Sequence, residues 1–111
     1  MIAIFVTVQI KKGFKNQFMD ALLHDARGSI HNEPKCYRFD ILQNDEDPNR
    51  IHLYEVYEDD DAVESHRSQP HFTKWLSTVE RWFDGDRTRI EMHTVFPTDE
   101  TWREQKRTLK E

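Results

Sequence analysis

The chain has 111 residues, one domain's worth, and its 16 basic and 21 acidic side chains leave a formal charge of −5. An acidic chain is a poor polyanion binder, because nucleic-acid affinity comes mostly from neutralised phosphates, so no nucleic-acid partner is expected. No apolar run nears the roughly 18 residues that cross a bilayer, no leader core follows Met1, and the lone Cys36 cannot form an internal disulfide, so a cytoplasmic protein away from membranes is expected.

Met1–Ile10 alternates, with Ile2, Ile4, Val6, Val8 and Ile10 on one face and Ala3 and Phe5 on the other, which reads as a central strand covered on both sides. After the Lys11-Lys12-Gly13 turn, Phe14, Phe18, Leu22, Ala26 and Ile30 form a helical stripe that Pro34 stops. Cys36–Gln43 reads as a strand with Tyr37, Phe39 and Ile41 on one face and Arg38 and Asp40 on the other. The polar turn 44–49 joins it to a second strand, Arg50–Glu58, as a hairpin. Asp59–His66 suits a short helix with an acidic N-terminus. Ser68 near the cap and Pro70 in the first turn start another, striped by Phe72, Trp75, Leu76, Val79, Trp82 and Phe83 and ended by Gly85. Arg87–Phe96 alternates as a last strand, and Pro97 stops it.

The order βα-ββ-αβ is a split βαβ arrangement: an α+β, ferredoxin-like fold with a four-stranded antiparallel sheet and helices on one face, over residues 1–97. Residues 98–111 read as a helical tail anchored by Trp102 and Leu109. Its four acidic residues (Asp99, Glu100, Glu104, Glu111) and four basic ones (Arg103, Lys106, Arg107, Lys110) cancel, which suits a solvated helix. Two helices cover one sheet face only. The apolar residues on the other face predict a homodimer joined through the sheets.

Among six histidines none has strong metal spacing, and His-Glu-x-x-His and Cys-x-x-Cys are absent, so no metal is expected. His66 and His71 lie about 140° apart on a continuous helix, but a break at Pro70 would let them converge. They are either a solvated helix end or a general base beside a pocket. Arg38 and Asp40 share one strand face, Tyr54 shares a face with Glu58, and Glu55 points the other way with Tyr57. Such charges are either structural pairs or the polar patch of an aromatic small-molecule pocket. Cys36 lacks a local base and reads as packing. The run Glu58–Asp61 lacks the glycine and spacing of a calcium loop, and no glycine-rich phosphate loop exists, so no cofactor is expected.

Glu33-Pro34-Lys35-Cys36-Tyr37-Arg38-Phe39-Asp40-Ile41-Leu42-Gln43, then Asp47-Pro48-Asn49-Arg50, then Tyr54-Glu55-Val56-Tyr57-Glu58-Asp59, then His66 with Pro70-His71-Phe72, form one ordered set. In order and spacing it resembles the antibiotic biosynthesis monooxygenase family over roughly residues 1–97. Lys35 stands where that family usually has Gly. The resemblance implies a small dimer of the dimeric α/β-barrel type, with a pocket between sheet and helices. It also implies cofactor-independent oxidation of a quinol or other small aromatic by molecular oxygen, for which a base and a shaped aromatic cavity suffice. On that reading His66 or His71 is the base and Tyr54, Phe72 and Trp75 are walls, with Glu55 or Asp40 as the next candidate base.

A second branch, the isomerases of the phosphorylated autoinducer-2 signal, is resembled through Asp60-Asp61-Ala62-Val63, His66 and Pro70-His71-Phe72. It would shift a proton beside a carbonyl and needs a cation for phosphate, with Arg38, Arg50 and Lys74 as candidates. The net charge of −5 ranks it second. A haem-degrading branch has its ligating His where Leu76 stands and an Asn near Val6 or Thr7, so haem is not expected. A non-catalytic binding protein on the same fold is the third reading.

Overall fold

Alternation in the first residues produces the centre of the sheet. In the computed structural model, which describes residues 1–109, β1 (Ile2–Gln9) runs antiparallel to β3 (Arg50–Tyr57) on one side and β4 (Thr88–His93) on the other. β2 (Cys36–Gln43) completes the sheet beyond β3, in the order β2-β3-β1-β4. α1 (Lys15–Asn32) connects β1 to β2, and α2 (Asp60–Arg67) and α3 (Pro70–Val79) connect β3 to β4. This is the ferredoxin-like α+β fold that the element order predicts. Lys110 and Glu111, part of the tail's charge balance, lie outside the described residues. Among the described residues no helix is long and apolar enough to cross a membrane.

Register decides which side chains reach the helices. Ile4 pairs with Glu55 and Glu91, and Val6 with Leu53 and Arg89, so these residues share one face. That face carries the main core, in which Ile2, Ile4, Val6 and Val8 meet Phe18 and Leu22 of α1 and Trp75 and Val79 of α3. Burying a side chain of this size is worth roughly 1.5–3 kcal/mol. The thin apolar composition is thus concentrated in one layer.

Several boundaries differ from the sequence reading. Ser68 closes α2, its N–H bonding to Ser65 O, and the extended Gln69 is the N-cap of α3. The α3 stripe ends at Val79 and tightens into a 3-10 turn, Glu80–Trp82. Trp82 O accepts from Lys11 N–H there, and Phe83 bridges to Ile10. β4 stops at His93 because β1 runs out: Thr94 N–H bonds to Met1 O. Tyr37 lies on the opposite face from Phe39 and Ile41, because a register shift between Cys36 and Arg38 inserts an extra residue.

The second sheet face carries its own helix. α4 (Asp99–Thr108), capped by Thr98 Oγ1 accepting from Thr101 N–H, seats Trp102 on Ala3, Tyr37 and Val56. Lys106 Nζ donates to Glu33 O (2.8 Å) and to Cys36 O, and Arg103 pairs with Glu58. Ile90 (55% exposed) and Met92 (40%) remain uncovered on this face.

Candidate functional site

The end of α1, the end of α2 and the start of α3 bring three side chains together. Pro34 stops α1 and leaves Glu33 extended at its C-cap, buried and turned inward. His66 Nδ1 lies 2.9 Å and His71 Nε2 2.5 Å from the same oxygen, Glu33 Oε2. The chain break at Gln69-Pro70 is what lets the two histidines converge. Gly28 makes room for His71, since a Cβ there would stand 2.8 Å from its ring. Both rings donate to one carboxylate, so the Glu33 bond holds the proton on His66 Nδ1 and leaves Nε2 as the free base. Burial raises the Glu33 pKa, but hydrogen bonds and charge from His66 and His71 outweigh it and hold the carboxyl below its ordinary value. Burial likewise lowers the His66 pKa, and Glu33, Glu55 and Asp25 outweigh it, so His66 titrates above its ordinary value. Glu33, His66 and His71 are also the one group among the described residues whose ligand atoms, all within 4.8 Å, could take a metal ion.

His66 is shared between this cluster and a cavity of about 410 Å³ between the sheet and the helices. That volume is in the small-molecule range. Its walls are Phe39, Phe72, Trp75, Leu53 and Leu76, and its polar groups are Asp25, Glu55 and His66. Glu55 is buried, accepts from Tyr57 Oη at 2.6 Å, and stands 3.8 Å from His66 Nε2. Burial raises its pKa. Arg67, Arg87 and Arg89 line the same cavity. Burial, then the neighbouring Arg67 charge, lowers the Arg87 pKa, and Arg89 pairs with Glu91 at 3.7 Å.

Residues 1–78 match the antibiotic biosynthesis monooxygenase family. The chain belongs to that family. An isomerase of (4S)-4-hydroxy-5-phosphonooxypentane-2,3-dione from Yersinia enterocolitica is 30% identical over 92 residues, covering 83% of this chain and 95% of that protein. The enzyme of the same name from Salmonella paratyphi B is 34% identical over 84 residues, 76% of this chain and 86% of its own. Among solved structures, a family protein from Nitrosomonas europaea superposes with a TM-score of 0.84 at 31% identity, covering 87% of this chain and 92% of that one.

The structure divides the candidate residues of this family member. His66, Glu55, Phe72 and Trp75 line the cavity, and His71 stands behind His66, on Glu33. Tyr54, Arg38 and Asp40 do not line it. The register puts them on the other sheet face, where Arg38 Nε donates to both Asp40 oxygens at 3.0 Å. The three cations proposed for phosphate are elsewhere too. Arg38 is on that second face, Arg50 bonds Gln9 at the start of β3, and Lys74 lies in a shallow depression beside Gln17 and Asp20. Cys36 is buried, and burial pushes its thiol well up, so it packs and does not attack. Glu33, Asp25 and the three arginines were missed. Asp25 left a signal, a charged residue inside an apolar helical stripe.

Proposed function

We propose that this chain is an isomerase that moves a proton between neighbouring carbons of a small phosphorylated hydroxy-dicarbonyl compound. The observation that carries the reading is Arg67, Arg87 and Arg89 in one cavity with His66 and Glu55. Arginine forks suit phosphate oxygens, and three of them supply locally the positive charge that the whole chain lacks. Isomerases of a phosphorylated hydroxydione among its relatives support the same ranking. This reverses the order reached from sequence, where net charge counted against a phosphate.

The chemistry needs a base near a C–H beside a carbonyl. His66 Nε2 fits, with Nδ1 held by Glu33 and the ring boxed by Phe72, Tyr57 and Phe39. His71 acts only through Glu33. Glu55, in contact range of Nε2, steadies the imidazolium that forms. Monooxygenation of an aromatic remains the second reading, favoured by the Phe39, Phe72 and Trp75 walls. Turnover of the phosphorylated hydroxydione in a closed cell with an oxygen electrode tests both. Conversion without oxygen uptake, reduced about 100-fold or more in His66→Gln, is the isomerase result. Oxygen uptake with a dihydroxyaromatic and no conversion of the dione overturns it. Ligand-induced stabilisation without either turnover marks a binding protein. The active unit is proposed to be a homodimer joined over the second sheet face, where Ile90 and Met92 stand uncovered. A single monomeric species at micromolar concentration in ultracentrifugation refutes that assembly.

A further inference from the structure

Asp25 is the one ionisable group of the cavity that the base and its support leave unused. It sits in the apolar stripe of α1, between Leu22 and Ala26, and is 1% exposed. Its Oδ1 has no hydrogen-bond partner. A buried, unpaired polar atom costs roughly 1–3 kcal/mol. The other carboxylates here are engaged: Glu33 with two imidazoles and Glu55 with the Tyr57 hydroxyl. Trp75, on the neighbouring helix α3, likewise has a buried Nε1–H without a partner and lines the same cavity. Ligand oxygens that accept hydrogen bonds in that cavity would give these two groups partners.

We propose that Asp25 is the general acid of this site, giving its proton to the substrate's carbonyl oxygen while His66 takes the proton from the adjacent carbon. This rests on the isomerase reading and deepens it. The C–H bond at the hydroxyl-bearing carbon breaks and its proton goes to His66 Nε2. The electron pair forms the C=C of an enediol, and the neighbouring carbonyl's π pair moves to oxygen, which takes the Asp25 proton. In the second half His66 returns its proton to the former carbonyl carbon. The other hydroxyl gives its proton to the Asp25 carboxylate and becomes the new carbonyl. Both side chains end as they began, and no oxidant is consumed. The phosphate then points to the arginines, the reacting oxygens to α1 and the reacting C–H to α2.

The charge environment suits a protonated acid. His66 of α2, Glu55 of β3 and Glu33 beyond α1 act on the carboxyl, Arg67, Arg87 and Arg89 line the same cavity, and α3 faces it with Phe72, Trp75 and Leu76. Burial, opposed by His66 and reinforced by Glu55 and Glu33, raises its pKa to about 7.

The test compares wild type, Asp25→Asn and Asp25→Leu, each verified as folded by its thermal transition. Two readouts are taken: turnover of (4S)-4-hydroxy-5-phosphonooxypentane-2,3-dione, and calorimetric binding of phosphoglycolohydroxamate, a phosphorylated enediolate mimic. Both variants should lose about 100-fold or more in kcat. Asp25→Asn, which still donates an N–H, should bind the mimic within a few-fold of wild type, and Asp25→Leu about ten-fold more weakly. The fall in wild-type kcat/KM above about pH 7 should vanish in Asp25→Asn. An active wild type matched by Asp25→Leu overturns the Asp25 role and leaves the isomerase standing. A wild type without turnover sinks the isomerase reading instead. Mimic binding then decides for Asp25: equal affinity in all three proteins, or none in wild type, overturns its role, and weakening in Asp25→Leu alone supports it.

Discussion

Replacing Glu33 by Gln should separate the histidine cluster from the rest of the fold. Glu33 is buried, and its one oxygen accepts from His66 at 2.9 Å and His71 at 2.5 Å. A hydrogen bond to a charged group contributes about 1.5–3 kcal/mol and a neutral one about 0.5–1.5 kcal/mol. A glutamine keeps the shape and an acceptor but loses the charge. Two bonds, each weakened by about 1 kcal/mol, cost about 2 kcal/mol, or roughly 10 °C in Tm for a domain of this size. The loss depends on pH with a definite sign. Glu33 titrates below 4.5 in the fold, so its contribution is present above 4.5 and is lost as pH falls through the folded value. His66 titrates above 6.5 in the fold, so its contribution is complete below 6.5 and fades as pH rises through the folded value. The gap between wild type and Glu33→Gln should therefore be widest between 4.5 and 6.5 and shrink on both sides. Thermal melts from acid to alkaline pH measure it. A constant gap across that range, or none at all, refutes the idea that a charged carboxylate holds the two rings.

Asp25 should behave in the opposite sense. Its raised pKa means that the folded state holds a proton the unfolded chain has released, so stability falls as pH rises from 3.8 towards about 7. Asp25→Asn should raise Tm at pH 8 and leave it nearly unchanged at pH 4; equal shifts at both would contradict a buried neutral acid. Arg89→Ala and Arg87→Ala should each raise KM for the phosphorylated hydroxydione at least ten-fold and leave binding of a dephosphorylated analogue within two-fold, measured by initial rates and calorimetry (about 1.4 kcal/mol per ten-fold). Equal losses on both ligands would assign these residues to packing. Gly28→Ala gains up to about 1 kcal/mol of helix propensity. It also pushes a Cβ to within 2.8 Å of the His71 ring, where overpacking costs about 1–3 kcal/mol. A lower Tm with a displaced His71 resonance in NMR is the expected result, and a Tm above wild type would show that the ring yields freely.

The elements were legible because their periods are strong. β1 alternates over its whole length and α1 keeps one stripe from Phe18 to Ser29, so the element order and the fold followed from pattern alone. Period two states which strand residues share a face, but not which face the helices cover. Arg38, Asp40 and Tyr54 were grouped with the pocket for that reason, whereas Phe39 and Glu55, on the opposite face, line it. The bulge beside Cys36 carries no local marker such as glycine, and it moved Tyr37 to the other face. The convergence of His66 and His71 could be read from Pro70. Their common partner Glu33 is 33 and 38 residues away and could not. Arg87 and Arg89 stand two residues apart at the start of the edge strand β4, whereas Arg67 ends α2, and only the folded chain brings it to them.

The central claim is a proton shift in the cavity that holds His66 and the three arginines. It is tested most directly by incubating the protein with (4S)-4-hydroxy-5-phosphonooxypentane-2,3-dione in deuterated water without oxygen and following the carbon skeleton by NMR. The account predicts a carbonyl-transposed isomer formed without oxygen, at a rate reduced about 100-fold or more in His66→Gln. An unchanged dione, or a product formed only when oxygen is admitted, would contradict it.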